Sequence, residues 1–167
     1  MPNWIEGTFR ARGEKENIHN FLMSGLTPVD CMGGTIKTEK VISEEGDYFS
    51  VTFININGEE ECYEGSLHIN NTRRQFLEVD YGDIYIQEKK DKEIQFAVKF
   101  KGAWALDTDH LKEVATKYKI DIKVNGFECG MQFTQLFEVS RSGKIKSDSV
   151  IGYDDYLWNC DMCLLGG

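Results

Sequence analysis

Two cysteines three residues apart sit near the end of the chain, where "WNCDMCLLGG" spans Trp158 to Gly167 and holds Cys160-x-x-Cys163. Thiolates at this spacing make half of a tetrahedral zinc site, or a redox pair where a helix N-terminus lowers one thiol's pKa. A zinc site would need a second knuckle or a histidine pair at finger spacing. The chain has neither, and Cys31, Cys62 and Cys129 could complete a set only from distant strands. A redox pair needs a helix to follow, and only four residues follow Cys163. Zinc binding by this pair therefore stands as an alternative, and the expectation is reduced thiols that are buried or idle. Trp158, Leu164 and Leu165 would then hold the tail against the sheet or a partner. The five cysteines, odd in number and irregularly spaced, do not read as a secreted disulfide framework.

Other chemistry is equally sparse. His19, His68 and His110 could act as bases, but none lies beside a nucleophile signature such as G-x-S-x-G. The paired acids of "EEE" and "DD" would need burial to push their pKa values apart, and these runs read as solvated. "CMGGT" lacks the spacing and the Lys-Ser/Thr end of a phosphate loop, and no G-x-G-x-x-G follows a strand. The expectation is a protein with no catalytic residue, no cofactor and no metal, which is not an enzyme.

What remains is binding. The chain of 167 residues carries 28 acidic and 19 basic side chains, a net charge of −9 that repels a phosphate backbone, so direct DNA binding is not expected. The acids gather in "SEEGD", in "GEEECYEG" and at Asp154-Asp155. Glu59, Glu60, Glu61, Glu64, Asp154 and Asp155 are the candidates for charge complementarity to a basic partner, with Tyr63 and Trp158 as aromatic anchors. The competing surface is basic. Arg10 and Arg12 lie two apart on one strand face, with Lys15 behind them and Arg73-Arg74 and Lys89-Lys90 at loop tips. Tyr48, Tyr63, Tyr81 and Tyr85 could stack bases as on an RNA-binding sheet.

These residues need elements to hold them. Residues 3–12 alternate as a strand ended by Gly13, and Ile18, Phe21 and Leu22 space a short helix ended near Gly25. Residues 26–46 contain Pro28 and Gly33-Gly34 and predict a long connection. Asn57-Gly58 predicts one hairpin and Tyr81-Gly82 a second. Ile94, Phe96, Val98 and Phe100 alternate as a half-buried strand, and Leu111, Val114, Ala115 and Tyr118 space a helix over 108–119 with Asp107 at its N-cap. "IDIKV" and "MQFTQLFEV" are further strands, and 141–144 is a turn. The order predicts an α+β sandwich with two helices on one face of a mainly antiparallel sheet, a split βαβ of the ferredoxin-like kind. It is read as a single domain, 1–167, enlarged by a strand-rich insertion at about 28–90. No window suits a spanning helix or a secretory signal, so a cytoplasmic protein without membrane contact is expected.

"MPNW" opening the first strand, and "FKGAWALDTDHLKEVATKYKIDIKVNGFECGMQF", resemble the YubB-type ferredoxin-like domain of phage and plasmid accessory proteins, over about 2–25 and 94–140. Where that family has prolines after the tryptophan, this chain has Ala105-Leu106-Asp107. The resemblance implies a mobile genetic element acting in a bacterial host cell, and hence an inhibitor that binds a host protein or ribonucleoprotein. An anti-CRISPR-like occlusion of a nucleic-acid-guided defence nuclease is the expectation, with an RNA-binding ferredoxin-like module as the alternative beside zinc binding.

Overall fold

The computed structural model describes residues 3–29, 34–35, 38–45, 48–55, 65–79, 83–88 and 93–166; at 38–45, 48–55, 65, 83, 85 and 88 the description is of the backbone. Strand β1 (Trp4–Glu14) turns Ile5, Gly7, Phe9, Ala11 and Gly13 to one side. Helix α1 (Lys15–Ser24) follows directly and buries Ile18, Phe21 and Leu22. Its end is fixed by Gly25, whose N–H donates to the Phe21 carbonyl. The glycine is needed there for space, since a Cβ would come within 2.6 Å of the Phe21 ring; its φ of −88° is open to any residue.

Four short strands come next: β2 (Leu26–Val29), β3 (Thr38–Glu45), β4 (Tyr48–Asn55) and β5 (Gly65–Ile69). They are followed by β6 (Gln75–Val79), β7 (Asp83–Glu88) and the long β8 (Glu93–Ala103). Helix α2 (Thr108–Tyr118) starts after Asp107 and ends at Lys119, which takes the left-handed conformation. Strands β9 (Asp121–Glu128), β10 (Phe133–Val139) and β11 (Ile145–Gly152), and the four-residue helix α3 (Tyr156–Asn159), complete the chain.

The result is an α+β fold with an open sheet and, among the described residues, three short helices. The main path runs β11-β10-β9-β1-β8-β6-β5-β2, and every described pairing is antiparallel. Alternation along that path leaves β8 and β9 parallel, with β1 between them and α2 as the crossover. Both α1 and α2 cover one face. The ring of Phe21 lies 6.1 Å from Phe9, 6.4 Å from Phe96 and 5.4 Å from Tyr118 of α2, so an aromatic cluster joins the helices to the two central strands. Close approach also governs the sheet centre, where a Cβ on Gly7 would fall 1.9 Å from the Asn125 carbonyl oxygen.

Three expectations from local patterns are corrected. Strand β1 runs through Gly13 to Glu14 rather than ending at the glycine. Residues 26–46 contain β2 and β3 rather than a plain connection. The expected turn at Asn57-Gly58 lies outside the described residues, among which β4 pairs with β3 and β7, and β5 with β2 and β6. The described strands flanking Tyr81-Gly82 do not form a hairpin. Both β6 and β7 run antiparallel to β8, β6 opposite Lys99–Gly102 and β7 opposite Ile94 and Gln95, so the sheet forks along β8.

Candidate interaction surface

The C-terminal segment is pinned at one residue and exposed around it. Tyr156 is 1% exposed. Its ring meets Tyr153 edge-on at 5.5 Å, its hydroxyl donates to the Leu165 carbonyl at 3.3 Å, and Gly166 N–H donates to a Glu6 carboxylate oxygen at 3.2 Å. Thr134 donates to the Tyr153 hydroxyl, tying the same segment to β10. Burial, with Cys160 beside it, pushes the Tyr156 hydroxyl above the usual phenol range. Asp155 sits at the N-cap of α3, its carboxylate accepting from Trp158 N–H at 3.2 Å.

With Tyr156 turned inward, its neighbours face solvent. Leu157 is 70% exposed, Trp158 86% and Leu164 91%, with Met162 also exposed. Asp154, Asp155 and Asp161 are exposed among them. An apolar group of this kind, rimmed by one sign of charge, is what a docking surface presents. Strand β11 beside it is a sheet edge, paired only with β10 among the described residues, and carries exposed Ile145, Val150 and Ile151.

Of the residues expected from sequence to meet a partner, Asp154, Asp155 and Trp158 come together here. Glu59, Glu60, Glu61, Tyr63 and Glu64 lie outside the described residues, as do Tyr81, Lys89 and Lys90. Residues 28–90 hold 13 of the 28 acidic and 6 of the 19 basic side chains, so most of the net negative charge belongs to that stretch. Leu164, expected to hold the tail against the sheet or a partner, is exposed, whereas Leu157 and the anchor Tyr156 were not singled out by sequence reasoning. The three-residue spacing of Tyr153 and Tyr156 was the available signal.

Among the described residues the cysteines do not assemble a site. Cys160 is buried, Cys129 and Cys163 are partly buried, all three are free, and Cys31 and Cys62 lie outside the described residues. Among the described residues, no three His, Cys, Asp or Glu side chains come together as metal ligands would. Cys163 N–H donates to the Cys160 carbonyl, so the pair closes a turn.

The histidines serve local structure. His110 Nδ1 lies 2.8 Å from Asp107, which raises the histidine's pKa through that hydrogen bond and the charge behind it. Asp107 also accepts from Arg73 N–H at 2.6 Å. It occupies the N-cap position of α2, but its carboxylate is committed to Arg73 and His110 instead of the helix N–H groups. His68 Nε2 is 3.1 Å from the Thr72 carbonyl.

The sheet face away from α1 and α2 is a lattice of charges. Asp121 accepts from Arg12 at 3.0 Å and from Arg141 at 3.1 Å, and Arg141 continues to Glu93 at 2.6 Å. Burial acts to raise the Asp121 pKa, but the hydrogen bonds from Arg141 and Arg12 outweigh it and hold the carboxyl at about 2. Lys123 and Lys146 both pair with Glu138, and Lys101 pairs with Glu6 while lying over the Trp4 ring at 4.9 Å. A cleft of about 590 Å³ opens on this face between Arg10, Arg12, Lys123, Gln87 and Gln95. Arg10 and Arg12 share the face as their spacing predicts, but Arg12 is ion-paired, whereas Arg10 has no hydrogen bond or ion pair among the described residues.

Comparison with family models, with curated proteins and with solved structures finds no match to this chain. Among the described residues, no helix is long and apolar enough to cross a membrane.

Proposed function

We propose that this chain is an interaction protein that acts by binding and occlusion rather than by turnover. The observation that carries the reading is Trp158, exposed over most of its surface on a segment whose neighbour Tyr156 is fully buried. A large aromatic side chain held out by a rigid anchor loses little entropy on docking, which is why tryptophan is enriched among residues that dominate interface energetics. Asp154, Asp155 and Asp161 supply the negative rim, and the acidic stretch 28–90 adds long-range attraction for a basic partner.

The finer form of the proposal is an inhibitor from a phage or plasmid that covers a host nucleic-acid-guided nuclease in the bacterial cytoplasm, whose basic channel would attract these acids. The YubB-type resemblance supports that setting. A ferredoxin-like split βαβ within a single domain is proposed for the scaffold on the β8-α2-β9 crossover around β1. The departure is that β6 and β5 separate β8 from β2, the strand that follows the first helix.

Affinity capture from a bacterial lysate tests the reading. The wild-type chain is expected to retain a basic partner, and Leu157→Ala with Trp158→Ala to reduce its recovery at least about tenfold. Charge reversal at Glu59, Glu60 and Glu61 should slow association and flatten its salt dependence. Equal recovery by all three proteins would overturn the proposal.

A further inference from the structure

The helix-free face holds a second feature that protein docking through the C-terminal segment does not use. Arg10 of β1 stands directly opposite Lys123 of β9. Like charges in directly opposed positions of a sheet repel, and such a pair is normally relieved by an acid. Glu138 relieves Lys123 at 3.2 Å, but no described group reaches Arg10. Arg12, two residues along on the same face, binds Asp121 through Nε and Nη2 and keeps Nη1. The two acids of the cleft wall, Asp121 and Glu138, are thus both already engaged by cations. Among its described residues the cleft has a surplus of positive charge in a chain of net charge −9.

Its shape narrows the ligand. At about 590 Å³ the cleft has the size of a small-molecule site and not of an interface. Gln95 Nε2 donates to Gln87 Oε1 across 3.4 Å, a long contact that leaves both amides able to take a better partner. A guanidinium fork with an ammonium opposite suits the several acceptor oxygens of a phosphate, and the amide pair suits a polar ring.

We propose that this cleft binds a phosphomonoester of nucleotide size, with Arg10 as the principal phosphate ligand, Lys123 and the free edge of Arg12 in support, and Gln87 and Gln95 facing the rest of the molecule. The site is separate from the C-terminal docking segment, and its occupancy does not depend on Trp158.

Calorimetric titration of the full chain with adenosine 5′-monophosphate, with adenosine, and with a 12-nucleotide single-stranded RNA lacking terminal phosphate tests it. The monophosphate is expected to bind at least about tenfold more tightly than adenosine, and Arg10→Gln to remove about a tenfold share of that affinity with the melting temperature unchanged. Arg10→Lys should restore part of the loss, because charge is kept while the fork is lost. Equal binding of monophosphate and adenosine, or monophosphate affinity indifferent to Arg10→Gln, would overturn the proposal. Arg10-dependent, salt-steep binding of the RNA without binding of the monophosphate would also overturn it, in favour of a polymer lying on the sheet.

Discussion

On the helix-covered side of β1, Ile5, Phe9 and Ala11 are at most 1% exposed and belong to the apolar core. On its other side, one residue away in each case, Glu6, Arg10 and Arg12 meet charged side chains or an open cleft. The difference shows that the two faces of one strand have separate tasks. The covered face supplies most of the free energy of folding, and the open face contributes the smaller share.

The sharpest way to break that comparison is at Phe21, which stacks on Phe9 and Phe96 and meets Tyr118. Phe21→Ala should cost about 3–5 kcal/mol of stability in urea denaturation, the range for deleting a buried aromatic ring. A loss below about 1 kcal/mol would mean that the aromatic cluster does not hold the helices to the sheet.

An intermediate effect is expected where the open face does contribute to stability. Asp121→Asn removes the centre of the Arg12–Asp121–Arg141–Glu93 network and should cost about 1–2 kcal/mol near neutral pH, solvent screening of the partly exposed arginines included. Because the folded state holds the Asp121 carboxyl at about 2 against an ordinary value of 3.8, its contribution is complete above about pH 4. It disappears as the pH falls through about 2. Stability of the two proteins should therefore converge in acid, as read by denaturation between pH 2 and pH 6. The smallest effect belongs to the C-terminal segment proposed for docking: Trp158→Ala should change stability by less than about 0.5 kcal/mol while weakening capture of the proposed partner.

What the sequence disclosed follows from how far each interaction reaches along the chain. The alternation in β1 and β8 and the apolar spacing of α2 are local, and β8 and α2 stand where the pattern puts them, while β1 continues past Gly13 to Glu14. The hairpin at Tyr81-Gly82 also looked local, yet β6 pairs with β5 and β8 and β7 with β4 and β8, because pairing is decided by which strand edges the core leaves open. Arg141 read as a turn residue, but its guanidinium reaches Asp121 and Glu93, 20 and 48 positions away. The exposure of Trp158 was legible only as a candidate anchor. That Tyr156 fixes the segment depends on Leu165 and Glu6 lying near it in space, the latter joined to the tail from the opposite end of the sequence.

The central position of β1 also bears on synthesis. Its neighbours are β8 and β9, and Arg12 meets Asp121 across 109 positions of sequence. At ribosomal rates of about 5–20 residues per second, the first strand waits on the order of 5–20 s before its second neighbour exists. During that interval Ile5 and Phe9 have no sheet to enter, and α1 is their nearest shelter.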